Sequence, residues 1–244
     1  MVRTAAVLAL LVALALWSQF APDLPGPISD WGNVAVLALG VIPAMFALVW
    51  LALPLRAVGT LRLGIGAVAL VLAAVVLSLL DLEIAANFTK LAAATAVGWW
   101  FLSFFEAPWW VLLVALLIVP VDLFSVARGP TKEITENQPQ VFDALSVFMR
   151  IPGTESAAQL GLPDILFFAL FLGAAARWGL RVPATWVAMT LSFGGTLALA
   201  IWFEQAGVAA LPLLSAAFVL VNADLLWASI RGRRHVDADL GPRR

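Results

Sequence analysis

The chain contains no cysteine and only one histidine, His235, which lies in a charged C-terminal tail. The lack of cysteine excludes disulfide bonds, thiolate metal sites and cysteine nucleophiles. A single histidine argues against a Ser–His dyad and against a metal site with several histidine ligands. Charged residues are also scarce, at 12% of the chain. We predict no cofactor, no metal and no nucleic-acid partner.

Apolar residues dominate instead. They make up 63% of the chain, and the mean hydropathy is +1.01. Soluble domains are about half apolar and about a quarter charged, so this composition indicates a polytopic membrane protein embedded in a lipid bilayer. Apolar runs of roughly 17 to 25 residues predict eight spanning helices in an all-α transmembrane bundle. The runs cover approximately residues 4–20, 33–55, 61–80, 88–105, 108–127, 161–180, 183–203 and 208–230.

We predict a single integral membrane domain over residues 1–244. It has N-terminal helices in 1–105, a second group of helices in 106–230 and a basic tail in 231–244. The first apolar run could instead be a signal peptide, because a basic residue precedes it. No clear small-residue cleavage site follows that run, which favours a retained helix.

The only long polar stretch joins the fifth and sixth predicted helices, over about residues 128–160. Within it, the segment VFDALSVFMR places Phe142, Leu145 and Phe148 at helical spacing. This spacing is typical of a short amphipathic helix at the membrane interface. A tethered loop explains the segment equally well, so both interpretations stay open.

The basic residues are divided unevenly between the two predicted membrane faces. Eight alternating spans put both termini on one face, which collects ten of the fourteen basic residues. The other face has Lys90, Arg128, Lys132 and Arg150. The positive-inside rule therefore predicts cytoplasmic termini and an external 128–160 loop. Abundant arginine, alanine, leucine and valine hint at a bacterial source, so we expect a multi-pass protein of a bacterial inner (plasma) membrane.

Two acidic residues, Asp122 and Asp164, are each the only charge in an apolar stretch long enough to span a bilayer. An ionised carboxylate in hydrocarbon costs at least several kcal/mol, so such a residue is a functional candidate. Asp122 precedes Arg128 by six residues, or about 9 Å of helix. Asp164 lies near the start of the next segment, after the same loop. Antiparallel neighbouring helices would bring the two carboxylates to a similar depth.

Two carboxyl groups a few ångströms apart do not both ionise cheaply, so one of them keeps its proton. Aspartic proteases use this state: one Asp accepts a proton from water while its protonated partner polarises the scissile carbonyl. Alternatively, hydroxyl groups could satisfy the pair, or the pair could line an ion path. A third intramembrane acid, Asp224, is expected nearer the cytoplasmic face, paired with Arg231 or Asn222 in helix packing.

Three runs of the sequence, in order, resemble the conserved regions of one family. The run FEAPWWVLLVALLIVPVDLFSVARGPTKEITENQPQVFDAL resembles the first catalytic region of presenilins, where an Asp of a Tyr-Asp pair precedes a Gly-Pro and a polar loop. The run LGLPDILFFALFLGAA is similar to the second catalytic helix, with its GxGD signature. The run AALPLLSAAFVLVNADLL resembles the last helix, with its Pro-Ala-Leu motif. The resemblance covers roughly residues 100–228 and implies a presenilin or signal peptide peptidase-like intramembrane aspartyl protease.

The resemblance implies a role for several residues of this chain. Asp122 and Asp164 match the catalytic aspartates, and Gly161 matches the first glycine of GxGD. Ala210 and Leu211 match the end of the Pro-Ala-Leu motif. The residues expected to shape the active site or contact substrate are Gly161, Leu162, Pro163, Ala210, Leu211 and Pro212. The implied substrates are transmembrane segments or leftover signal peptides; nothing in the sequence decides whether accessory subunits take part.

The chain departs from the family pattern at three positions: Val121 replaces the tyrosine of Tyr-Asp, Pro163 replaces the second glycine of GxGD, and Ala209 replaces the motif proline. The family also usually has nine spans, against eight predicted here. Two other functions stay open. One is a proton-coupled transporter or channel that uses the Asp pair as relay groups. The other is a noncatalytic relative that binds membrane proteins.

Overall fold

The computed structural model describes residues 2–26, 29–128, 139–205 and 208–239. Its longer helices are α1 (Val2–Phe20), α2 (Asp30–Val36), α3 (Ile42–Ala52), α4 (Thr60–Leu79), α5 (Glu83–Leu102) and α6 (Pro108–Arg128). A short helix, α7 (Pro139–Ala144), and two strands, β1 (Ser146–Arg150) and β2 (Ala157–Gly161), follow. The chain continues with α8 (Leu162–Arg177), α9 (Val182–Trp202) and α10 (Leu211–Asp239). A π-helical turn at Leu37–Val41 joins α2 to α3, and a 3-10 turn at Leu53–Ala57 follows α3.

The protein is a bundle of α-helices, and six helical segments among the described residues are long and apolar enough to cross a membrane. They are α1, the α2–α3 unit, α4, α6, α9 and α10. Each of the eight predicted apolar runs coincides with one helical segment, but α5 and α8 fall outside these six. Helix α8 has only 16 residues, and the first half of α5 includes Glu83, Asn87 and Lys90. That all eight segments cross the membrane stays a prediction.

Helix α8 lies at the centre of the bundle and packs against α5, α6, α9 and α10. The five successive residues from Phe168 to Leu172 have no exposed surface, as expected of a helix that is apolar on all sides. The approach of α5 depends on Gly98, because a Cβ atom there would lie 2.5 Å from the carbonyl oxygen of Leu166. Trp99, the next residue of α5, adds a hydrogen bond between the two helices: its Nε1 donates to the carbonyl of Ala169 on α8 at 3.0 Å. This packing holds the start of α8 in a defined position.

Strands β1 and β2 form an antiparallel hairpin that ends directly at α8. The register pairs Ser146 with Gly161 and Arg150 with Ala157. The interfacial helix predicted within VFDALSVFMR is therefore wrong beyond Ala144, and the alternative of a tethered loop is wrong for Ser146–Arg150, which form a strand. The reason lies in α5, where the Asn87 amide donates to the Phe148 carbonyl and accepts from its N–H, at 3.0 and 2.8 Å. These bonds stabilise the extended backbone of β1 from outside the hairpin.

The helices alternate in direction, so the bundle has two ends. The hairpin end has the hairpin, the last turns of α6 and the first turns of α8 and α10. The opposite end, which we call the arginine end, has Arg56 in the turn after α3, Arg177 at the end of α8 and Arg181 just before α9. There, Arg56 and Arg177 donate to the carbonyls of Ala176 and Leu102, at 2.9 and 2.8 Å. The eight-span topology and the orientation of the two ends toward the cytoplasm stay predictions.

Asp224 lies toward the arginine end, but neither predicted side-chain partner is correct. Its carboxylate accepts two hydrogen bonds of 2.6 Å from Arg181, because antiparallel packing of α9 on α10 brings the start of α9 alongside. These bonds raise the pKa of the Arg181 guanidinium above its ordinary value. Arg231 instead lies over the ring of Trp227, and the Asn222 amide oxygen accepts from the Arg181 backbone N–H.

Candidate active site at the hairpin end

Asp122 lies near the end of α6, where its half-buried side chain faces the start of α10. Its Oδ2 accepts a hydrogen bond of 3.1 Å from the backbone N–H of Leu211. Pro120 lies inside the same helix. Because proline has no N–H, it leaves one carbonyl of α6 without its helical donor and loosens the helix near the aspartate. The carboxylate is therefore held by a backbone group from a different helix.

Leu211 is the first residue of α10 and, like Ala210, is buried. The first N–H groups of a helix have no partner within that helix and need an external acceptor. Pro212 has no N–H to offer, and the N–H of Leu214 bonds to the Ala210 carbonyl. Asp122 thus caps α10 from outside, where the positive end of the helix dipole favours a negative charge.

Asp164 is the third residue of α8, and its half-buried carboxylate folds back over the start of its own helix. It accepts a hydrogen bond from the N–H of Gly161, the residue that precedes α8. This is one half of a capping box, in which an acid at the third helical position reaches back to the N-cap. A Cβ atom on Gly161 would lie 3.2 Å from Asp164 Oδ2. The absence of a side chain at position 161 therefore gives this carboxylate its room.

The two carboxylates lie within electrostatic range of each other, so the charge of Asp122 acts on Asp164. Among the described residues, neither one forms an ion pair with lysine or arginine. Each is held by a single backbone N–H at a helix N-terminus, which leaves carboxylate oxygens available to a proton, a water molecule or a substrate carbonyl. Two acids in this arrangement can share one proton.

The hairpin presents one covered edge and one open edge beside this pair. On β1, the carbonyls of Ser146 and Arg150 accept hydrogen bonds from Lys90 Nζ and Trp17 Nε1, at 3.3 and 3.2 Å. Asn87 bonds both backbone groups of Phe148, the residue between them. Side chains from α1 and α5 therefore cover the outer edge of β1 and bond four of its backbone groups.

The open edge belongs to β2. Since the backbone groups of Phe148 point away from β2, those of its partner Gln159 point away from β1 in an antiparallel ladder. Within the described part of the chain, the N–H and C=O of Gln159 have no hydrogen-bond partner. The Gln159 side chain donates to Asp143 Oδ1 at 2.6 Å. An unpaired strand edge therefore leads to Gly161 and Asp164.

The remaining predicted site residues lie around the same point. Leu162 begins α8 and its N–H donates to the Leu145 carbonyl at 2.9 Å, while Pro163 is exposed at the second helical position, where a proline fits. Pro212 is half-buried at the start of α10. The structure thus gathers both aspartates and all six neighbouring candidates at the hairpin end.

Sequence reasoning missed the hairpin and its residues Gln159 and Asn87. One signal was present, since the dipeptide Pro152-Gly153 marks a turn between the two strand segments. Gly153 has a φ of 71°, which favours glycine. Nothing local identified Asn87, because its two partners lie 61 residues away along the chain.

Within the described ranges, no group of three acidic or histidine side chains is placed to hold a metal ion. A comparison with protein-family models and with curated proteins finds no match to this chain.

Proposed function

We propose that this protein is an intramembrane aspartic endopeptidase that cuts transmembrane segments or leftover signal peptides. The observation that carries the proposal is the pair Asp122 and Asp164: two half-buried carboxylates in electrostatic contact, without a basic partner among the described residues. Asp224, the other acid within an apolar helical run, instead lies at the surface in an ion pair with Arg181. Intramembrane acids that pair with each other mark functional sites such as proton relays. Two unpaired acids together fit proton transfer better than helix packing.

The proposed reaction uses one proton shared by the pair. The ionised carboxylate takes a proton from water, whose oxygen bonds to the peptide carbonyl carbon, while the protonated carboxyl group gives its proton to the carbonyl oxygen. A neutral gem-diol forms. When the C–N bond breaks, the first aspartate returns its proton to the leaving nitrogen, and the second regains one from the gem-diol as the new carboxyl group forms.

A substrate helix has to unwind before this reaction, since its backbone carbonyls are bonded within the helix. The open edge of β2 offers such a segment replacement hydrogen bonds, because an extended peptide adds to an exposed sheet edge as a further strand. Gln159 would supply the pairing N–H and C=O, five residues before Asp164 along the chain. The scissile carbonyl would then be delivered toward the aspartates by backbone pairing rather than by side-chain recognition.

The test is proteolysis by the full chain reconstituted in liposomes with a fluorogenic transmembrane peptide. We expect cleavage by the native protein and a loss of at least about 1,000-fold in Asp122→Asn and in Asp164→Asn, since each acid is needed for proton transfer. Asp224→Asn is the matched control, as an acid of the same bundle at its other end, and should cleave at a near-native rate. Undiminished cleavage in either active-site variant contradicts the proposal. Proton flux without cleavage would instead favour a transporter.

We also propose a bacterial plasma-membrane location with cytoplasmic termini, supported by the ten basic residues of that face. Because the chain has no cysteine, Gln140→Cys and Ala238→Cys introduce single thiols on opposite sides of the proposed membrane. A membrane-impermeant maleimide added to intact cells should label position 140 and leave position 238 unlabelled. The reverse pattern would invert the topology and place the hairpin end in the cytoplasm.

A further inference from the structure

A cavity of about 230 Å³ lies at the arginine end, far along the bundle from the aspartates. It is open on one side and is lined by the end of α5, the start of α4, the turn that follows α3 and the last residue of α8. Its polar lining comes from Arg56, Arg177, Thr60 and Ser103, and its apolar lining includes Leu63 and Trp99. Nothing in the proposed protease mechanism uses this cavity.

Both arginines line the same cavity, and Arg177 lies close enough to act on Arg56 electrostatically. Like charges held together are costly unless an anion lies between them. Among the described residues, neither guanidinium forms an ion pair. Each guanidinium donates one hydrogen bond to a carbonyl near a helix C-terminus, Arg56 to Ala176 and Arg177 to Leu102. A guanidinium has five N–H donors, so these bonds leave most of its donors unused.

The start of α4 adds neutral donors to the same cavity. Gly59 and Thr60 line it, and no side chain caps the helix. The N–H of Leu63 bonds to the Gly59 carbonyl, so the three preceding N–H groups are the ones left without a helical partner. Backbone N–H groups at a helix start, beside two guanidinium groups, form the donor set that proteins use for phosphate.

We propose that this cavity binds a phosphate group, held between the guanidinium groups of Arg56 and Arg177 and facing the start of α4. The phosphate has two possible sources, the headgroup of an anionic phospholipid and free phosphate. Tryptophan is enriched at the headgroup level of membranes. Trp99 lines the cavity, and five further tryptophans lie in or beside helix ends at the arginine end: Trp50, Trp100, Trp109, Trp110 and Trp178. We therefore infer that the cavity lies at the depth of lipid headgroups.

The experiment measures the apparent Tm of the full chain in a neutral detergent. Three probes are compared: phosphatidylglycerol, diacylglycerol with the same acyl chains but no phosphate, and inorganic phosphate against chloride at equal ionic strength. At about 100 times Kd, a single bound ligand raises Tm by about 5–10 °C in a chain of this size. A rise with phosphatidylglycerol alone assigns the site to a lipid headgroup, and a rise that includes inorganic phosphate assigns it to the phosphate group itself.

The variants decide whether the arginines cause the rise. The double variant Arg56→Gln and Arg177→Gln should lose the rise in Tm. The control Arg3→Gln removes a positive charge at the same end of the bundle but outside the cavity, and should keep the rise. If the double variant does not fold, Thr60→Asp tests the same point. A carboxylate at the first position of α4 is favourable to the helix and would occupy the phosphate position. It should raise the Tm without any probe and abolish the response to phosphatidylglycerol.

Three outcomes overturn the proposal. The first is no rise with phosphatidylglycerol or inorganic phosphate in the native protein. The second is an equal rise with diacylglycerol, which would assign the effect to acyl chains. The third is an undiminished rise in the double variant or in Thr60→Asp. None of these outcomes bears on proteolysis, so the proposed phosphate site and the proposed enzyme activity are tested independently.

Discussion

The backbone N–H of Leu211 donates a hydrogen bond of 3.1 Å to Oδ2 of Asp122, across 89 residues of sequence. The bond ties the end of α6 to the start of α10 and fixes one carboxylate of the candidate site. It also gives that carboxylate a structural task, since it satisfies a donor that α10 cannot satisfy itself. The charge and the hydrogen bond can therefore be separated by mutation.

Asp122→Asn should leave the stability of the fold nearly unchanged, while Asp122→Ala should lower the free energy of unfolding by about 1 kcal/mol. The Asn side-chain oxygen still accepts from Leu211, whereas alanine removes the cap. Thermal or denaturant unfolding of the purified protein measures the difference. Equal losses in the two variants would show that the bond to Leu211 does not contribute to stability.

Gly161→Ala should reduce proteolysis by about three- to tenfold with little change in stability. Its φ of −61° suits any residue, but the new Cβ would lie 3.2 Å from Asp164 Oδ2 and displace the carboxylate by a few tenths of an ångström. Gly66→Ala is the matched control, since a Cβ there meets no atom within 4 Å. It should keep full activity and raise the helix stability by about 0.5–1 kcal/mol. A Gly161→Ala enzyme as active as Gly66→Ala would rule out this displacement.

Gln159→Pro should lower kcat/KM for a transmembrane peptide by about tenfold or more. Proline removes the outward N–H that would pair with substrate, and it is tolerated on an edge strand because the β1–β2 bonds lie on the neighbouring residues. Gln159→Ala keeps the N–H and removes only the bond to Asp143, so it should be near-native. Similar kinetics for the proline and alanine variants would mean that substrate does not pair with β2.

Asn87→Ala should lower the free energy of unfolding by about 2 kcal/mol and expose the hairpin to exchange. Asn87 is 4% exposed, and its loss leaves the N–H and C=O of Phe148 without partners. Compared with the native protein, amide hydrogen exchange should be faster in β1 and much less changed in α8. Thr89→Ala, which removes a hydroxyl bond within α5, is the control and should change neither quantity much. Unaltered protection of β1 in Asn87→Ala would contradict the role given to Asn87.

The sequence predicts those features that depend only on residues close together in the chain. An apolar run of about 20 residues predicts a membrane helix by its length, and each of the eight predicted runs coincides with a helical segment. Asp122 and Asp164 could be singled out because a lone charge in such a run is costly. Their position on either side of one polar loop was enough to predict similar depth.

Tertiary structure decided everything that depends on distant partners. The segment Ser146–Arg150 is a strand because Asn87, Lys90 and Trp17 satisfy its outer edge, and no pattern within the segment contains that information. Asp224 pairs with Arg181, 43 residues away, instead of its neighbours on α10. Composition and apolar run length are enough to predict a helical membrane protein with two exceptional acids. Only the packing of α6, α8 and α10 brought those acids together, because hydrogen bonds and charges act through space.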